Sequence, residues 1–325
     1  MHVAARVSVR FTVVFATVAL MFATLLSSAP AAGAAPAGPS SDGYFLLGGD
    51  GGIFTFGVPF AGAPAGTNGC PDNTTDRTEP NGTCWSMAVT PSGNGYWVLN
   101  GDTGKIFSFG DAVSFGEPAT DQIGVSREFV PNMVQIVGTP AGQGYWVYEI
   151  GQSDLGMVSD FGDAGFFGDT TTFVQAHGGA ALNGSAVGMA ATPSGEGYWE
   201  VRSDGGVFSF GDAKFYGSMG GTPLTQPIIG ITATPTGHGY WLYAADGGVF
   251  AFGDAVFAGS TGAIHLVAPI VSMARNPAGP GYWLAAADGG VFSFGGAPYL
   301  GSLPQIGAHP NRPIFAIATK SGAPI

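Results

Sequence analysis

One string recurs six times along this chain, and that repetition restricts its fold more than any other property. The cleanest copy runs from Gly239 to Ser260, GYWLYAADGGVFAFGDAVFAGS. Close copies read GYWEVRSDGGVFSFGDAKFYGS from Gly197 and GYWLAAADGGVFSFGGAPYLGS from Gly281. More worn ones begin at Gly43, Gly95 and Gly144, so successive starts lie 52, 49, 53, 42 and 42 residues apart. A period of roughly 40–50 residues marks an architecture of stacked or radial units, none of which buries a core alone.

Within a copy the apolar residues do not fall at helical spacing. Tyr240 to Tyr243 and Val249 to Phe252 are two β-prone runs separated by Asp246-Gly247-Gly248. Asp and Gly tolerate the positive φ of a tight turn, so the pair reads as a hairpin. Ile228 to Thr234 supplies a strand before it, and Val256 to Ala258 a short one after the turn at Gly253-Asp254. Four short antiparallel strands per repeat describe one blade of a propeller. An open β-solenoid or a string of small β modules is the alternative.

The two ends of the chain favour closure. The first copy lacks its leading strand, while Ile314 to Thr319 is a leading strand without followers. Aligning Gly322 with Gly237 makes that strand the missing part of the first blade. The expected fold is therefore all-β: a six-bladed propeller of four-stranded antiparallel blades over residues 42–325, its ring closed by the C-terminal strand on the N-terminal blade. Closure leaves no sheet end to protect, and a monomer is expected.

Residues 1–35 read as a signal peptide: Arg6 and Arg10, an apolar run from Phe11 to Leu26, then small residues with Ala32-Gly33-Ala34 at the cleavage position. An uncleaved anchor is the competing reading, although the run is short for a bilayer span. A Pro/Ala/Gly/Ser tether, 36–41, follows, and no later stretch is expected to enter a membrane. Net charge is −12, and −14 once Arg6 and Arg10 are removed, which argues against nucleic acid and anionic membrane as partners. The two cysteines, Cys70 and Cys84, sit in the connector after the first copy; in an exported chain they read as a disulfide, with a zinc pair as the weaker alternative.

Departures from the repeat point to where ligands bind. From the Gly closing one copy to the Gly opening the next, the first three connectors take 33, 28 and 29 residues and the next two 22 each. The third copy also enlarges its hairpin, EIGQSDLGMVSD. Connectors and this hairpin lie on one side of a disc, so the expected ligand face is over blades 1–3. Candidate binding residues there are Arg77, Arg127, Glu128, Phe129, Asp154 and His177. Inside the strands, Glu149 and Arg202 hold equivalent places in adjacent copies, with Glu200 on the same strand face as Arg202; they are further ligand-binding candidates as a charged patch near the central channel, the alternative being a structural ion pair across the seam. The recurring Asp residues of both turns read as turn formers that cap their own backbone, a calcium ring being the alternative.

No nucleophile elbow, zincin, phosphate-loop or dinucleotide motif occurs, and no cofactor or metal is expected. His265 and His309 are possible general bases without a nucleophile marked nearby. The string GYWLxAxDGGVFSFGDAxFxGS, preceded by IxGxxATPxGxG, resembles the repeat of secreted actinobacterial propeller proteins and covers essentially all of 41–325. The resemblance implies a bacterial protein outside the cell or at its envelope and assigns no functional residue. Two functions follow as expectations: a non-catalytic propeller that recognises an extracellular protein or glycan, or a propeller hydrolase or lyase acting on an extracellular polysaccharide or peptide.

Overall fold

In most repeats the GYW or GYF tripeptide runs into further apolar residues without polar alternation, a pattern that in a strand means burial on both faces. A computed structural model, which describes residues 43–64, 84–118, 132–179 and 181–320, puts each such run at the centre of a three-stranded antiparallel sheet. The strands are β1 (Tyr44–Gly48), β2 (Ile53–Phe56), β3 (Cys84–Val89), β4 (Tyr96–Asn100), β5 (Ile106–Phe109), β6 (Asn132–Gly138), β7 (Gly144–Ile150), β8 (Gly156–Gly162) and β9 (Ala186–Ala191). They continue as β10 (Gly197–Arg202), β11 (Val207–Gly211), β12 (Ile228–Ala233), β13 (Gly239–Ala244), β14 (Val249–Gly253), β15 (Ile270–Arg275), β16 (Tyr282–Ala286), β17 (Val291–Phe294) and β18 (Ile314–Ala318). One short helix, α1 (Thr170–Ala176), lies between β8 and β9.

The sheets are β18-β1-β2, β3-β4-β5, β6-β7-β8, β9-β10-β11, β12-β13-β14 and β15-β16-β17, taken below as blades 1 to 6. Leading strands neighbour one another in a cycle, β3 to β6, β9, β12, β15, β18 and back to β3, so the blades stand around a common axis. Packing between blades closes this propeller-like ring, helped by a single parallel bridge, Val89 to Lys320. No continuous hydrogen-bonded sheet runs around it.

β18 does pair with β1, but one residue away from the alignment on Gly322. Ile317 stands opposite Leu46 as Ile231 stands opposite Leu242. The apolar pattern wins over the glycine, because a one-residue slip would turn Ile314 and Ile317, both buried, to the other face.

Blades have three strands, not the expected four. The segment Val256 to Ala258 pairs with no strand; aromatic side chains take its backbone groups instead. Trp241 Nε1 donates to the Val256 carbonyl (2.9 Å), the Ala258 amide donates to the Tyr282 hydroxyl (3.2 Å), and that hydroxyl donates to the Gly259 carbonyl (2.5 Å).

This arrangement recurs around the ring. Tyr44, Tyr145, Tyr198, Tyr240 and Tyr282 donate to Gly301, Gly116, Gly168, Gly217 and Gly259 of the preceding copy at 2.5–2.6 Å, and Tyr96 does so to Gly62. Adjacent residues of a strand face opposite ways, so Tyr serves the seam behind and Trp the seam ahead. Trp97–Tyr145, Trp146–Tyr198, Trp199–Tyr240, Trp241–Tyr282 and Trp283–Tyr44 have ring centroids 5.3–5.9 Å apart, and Phe45–Tyr96 fills the sixth seam at 5.1 Å. Six buried apolar clusters result, one at each seam.

The acceptor glycines have a double reason. Gly217 has φ +134°, and a Cβ there would stand 2.6 Å from the Phe252 ring. Gly217→Ala is expected to cost about 3 kcal/mol through backbone strain and overpacking, against about 1 kcal/mol for the lost hydrogen bond in Tyr240→Phe. Urea unfolding checks both, and equal losses would contradict this account.

Candidate functional site

In a three-stranded blade the leading strand pairs on one side only, so its other edge faces the axis. Side chains of neighbouring blades stitch those edges. Ser86 Oγ accepts from the Ile136 amide (3.2 Å) and Gln135 Oε1 from the Met189 amide (2.9 Å). The Thr232 and Thr319 hydroxyls donate to the Met273 and Arg275 carbonyls (3.4 and 3.3 Å).

Within this collar lies an axial cavity of about 270 Å³, open to solvent. Its walls are the C-terminal halves of the six leading strands, with Pro140, Pro193 and Pro235 of the short turns that follow. Those turns lie at the rim where the third strands end, opposite the rim where the leading strands begin. Connector ends bond instead to the turns between second and third strands, as in Ile270 N to Ala245 O (2.9 Å) and Ile314 N to Ala287 O (2.8 Å). The cavity is thus on the compact side. Among the described residues its lining includes Arg275 and Lys320 and no Asp, Glu or His.

The sequence-predicted residues lie elsewhere. Arg77, Arg127, Glu128, Phe129 and Cys70 fall outside the described residues, and with them the expected Cys70–Cys84 bridge; Cys84 opens β3. Asp154 is exposed in the enlarged hairpin, where it and Ser153 take positive φ (56° and 60°). His177 caps α1: its ring stacks on Phe173 (4.2 Å) and its Nδ1 meets the Phe173 carbonyl at 2.8 Å.

Glu149 and Arg202 are both buried but are not each other's partners. Glu149 accepts from the Ser159 hydroxyl (2.8 Å), while Arg202 Nε donates to the Asn183 carbonyl (2.8 Å) and Nη2 to that of Gly184. Strand equivalence gave them matching positions, yet a local donor satisfies Glu149 and local acceptors satisfy Arg202. Arg202 therefore fastens the third connector down.

The seam between blades 3 and 4 is held by Glu200 instead. Its Oε2 accepts from the Tyr148 hydroxyl (3.1 Å) across the seam and from the Thr170 amide (3.2 Å) at the start of α1. Asp169 forms a capping box with Thr172 and also accepts from the Val158 amide (3.3 Å). Glu200 Oε1 is buried without a partner, so ionisation there is poorly solvated. Burial, reinforced by the nearby Asp169 charge against the bonds from Thr170 and Tyr148, raises the Glu200 carboxyl to about 7. A raised carboxyl beside a tyrosine and an arginine has the composition of a catalytic group, but Glu200 and Tyr148 are 0% exposed and Arg202 2%. No substrate reaches them in this conformation.

The recurring Asp residues divide in two. Asp50, Asp204, Asp246 and Asp288 accept from the amide two residues on, all at 2.9 Å, as expected of turn formers. Asp111, Asp163, Asp212 and Asp254 instead accept from Thr90, Thr139, Thr192 and Thr234 (2.8–2.9 Å), clasping the turn between first and second strands to the end of the third. The Tyr and Trp rings at the centre of the blades are buried in the seams.

A carboxyl raised in the fold holds a proton that the unfolded chain has released, so stability falls as pH rises from about 4.5 through 7. Tyr148 of β7, Asp169 before α1, and Tyr198 and Arg202 of β10 surround Glu200, and burial raises both tyrosines well above that window. Glu200→Gln is expected to remove on the order of 2 kcal/mol of this pH dependence in denaturant titrations at pH 5 and 8. Parallel profiles for the two proteins would refute the assignment.

No family model matches the chain, and no curated protein matches it. Solved structures do. A structural genomics protein of unknown function from Bacteroides thetaiotaomicron VPI-5482 is similar at 12% identity over 74% of this chain, with a TM-score of 0.45; the chain spans 64% of that protein's length. The Cps50 (Swd1) β-propeller domain of Myceliophteria thermophila is similar at 11% identity over 82% of this chain and 84% of that domain, also with a TM-score of 0.45. Neither likeness bears on what this chain does.

Proposed function

We propose that the protein is an exported, non-catalytic propeller that recognises an extracellular protein or glycan outside the cell or at its envelope. What carries the reading is the separation of chemistry from access. The groups with reactive composition, Glu200, Tyr148 and Arg202, are sealed in a seam, whereas among the described residues the solvent-connected axial cavity has no carboxylate, imidazole or thiol in its lining. A cavity of that make-up binds and orients through hydroxyls, an amide and cations, without a carboxylate or imidazole beside them to activate a hydroxyl. Export rests on residues 1–35. Among the described residues no helix is long and apolar enough to cross a membrane.

The test has two parts. Expressed with its own leader in a bacterial host, the protein is expected in the medium or envelope fraction, with a mature N-terminus near residue 36; retention in the cytoplasm refutes export. Incubated with extracellular polysaccharides and peptides, it is expected to retain a subset of them on a glycan or peptide array without releasing products. Product accumulation under the same conditions would favour the hydrolase or lyase.

A further inference from the structure

Every leading strand is bulged against the middle strand of its blade, and a bulge re-aims the side chains beside it. The residues just after the bulge are Ala316, Ser86, Gln135, Gly188, Gly230 and Ser272 in blades 1 to 6, and their shared register sets them at one height around the axis. The two glycines make way for other side chains. Gln135 crosses Gly188 to reach the Met189 amide, and a Cβ on Gly188 would stand 3.3 Å from its Oε1. The Tyr243 hydroxyl lies against Gly230, where a Cβ would collide with it. Burial, against bonds from the Met273 amide and the Ser272 hydroxyl, raises the Tyr243 hydroxyl to about 12, so it stays neutral. Ser86, Gln135, Tyr243 and Ser272, from four different blades, all line the axial cavity.

Stitching the blades uses only part of what these groups offer. Ser86 Oγ accepts from the Ile136 amide and keeps its O–H, while Gln135 Oε1 accepts from the Met189 amide and leaves both N–H of its amide. Thr232 and Thr319, also in the lining, donate to carbonyls and keep their lone pairs. Among the described residues nothing takes up these remaining donors and acceptors. Gln135 Nε2 is not sealed from solvent, unlike the partnerless Glu200 Oε1, and it belongs to the cavity lining. From this we infer that the axial cavity binds one neutral sugar residue, whose hydroxyls complete the hydrogen bonds that Ser86, Gln135, Thr232 and Thr319 leave open. The deduction rests on the recognition reading above and names the ligand's chemistry. A hydroxyl both donates and accepts, as a wall of mixed neutral donors and acceptors requires; a carboxylate cannot donate and an ammonium cannot accept. Of the two cations in the lining, Arg275 has a contact of its own and Lys320 lays its stem over Gly93 of blade 2, so the groups left for a ligand are neutral. A volume of about 270 Å³, below the usual range for drug-sized ligands, admits one pyranose ring and not an oligosaccharide.

The experiment is ligand-detected NMR titration of the purified full chain with glucose, galactose, mannose and N-acetylglucosamine, with glucuronate as the charged control, at low and at high salt. At least one neutral sugar is expected to bind at millimolar concentration with an affinity that salt leaves unchanged, and glucuronate is expected to bind more weakly than that sugar. Thr232→Val keeps the side-chain shape and removes one acceptor; Gln135→Met keeps the length and removes the amide. Each is expected to weaken binding roughly fivefold, the loss of one neutral hydrogen bond. Thr232→Val breaks only a 3.4 Å stitch and should melt as the parent does. It decides alone if Gln135→Met, which deprives the Met189 amide of its acceptor, fails to fold. The assignment fails if no neutral sugar binds the folded parent, if glucuronate binds more tightly, if salt weakens the binding, or if the folded variants bind as the parent does. A glycan retained equally by parent and Thr232→Val on an array would sink the axial site alone and leave the recognition reading standing; no retention of any ligand would sink both.

Discussion

One contact, repeated around the ring, holds this architecture together: a tyrosine hydroxyl of each blade donating to a glycine carbonyl of the blade before it, with the preceding Trp or Phe packed against the tyrosine ring. The hydroxyl reaches a carbonyl that no strand pairs, so a buried backbone acceptor is satisfied by a side chain and not by a ladder. The ring adds apolar area and a tilted aromatic contact, worth about 1 kcal/mol beyond the area itself. Tyr44 on Gly301 makes this contact between the first described blade and the last, alongside the β18–β1 ladder. Closure of the circle therefore uses the same interaction as every internal seam.

The same contact explains why a fourth strand is missing. Once Trp and Tyr heads occupy the backbone groups after the third strand, that segment has no donors or acceptors left at those positions to pair with a neighbour.

Variation is tolerated where this contact is not involved. Blades 3 and 4 replace apolar seam residues with Tyr148, Glu200 and Arg202, and the polar groups are used to dock α1 and the third connector. Blades 6 and 1 drop the Thr–Asp clasp and contribute Arg275 and Lys320 to the lining of the axial cavity. The first departure is buried and structural; the second opens on solvent and is the one with room for a ligand.

Residue order by itself determined the number of blades, the hairpin turns and the joining of the two chain ends, because each follows from local periodicity and turn chemistry that recur in every copy. It also marked Glu149, Glu200 and Arg202 as polar intruders in apolar strands. Which atoms those intruders meet was decided only in three dimensions: Arg202 turns to the Asn183 and Gly184 carbonyls because the third connector folds over it, and Glu200 finds Tyr148 from another blade. Arg275 and Lys320 belong to different copies and stand 45 positions apart in the chain, so nothing local unites them. They share a cavity because a closed ring brings the ends of six leading strands around one axis, and that convergence is a property of the tertiary structure alone.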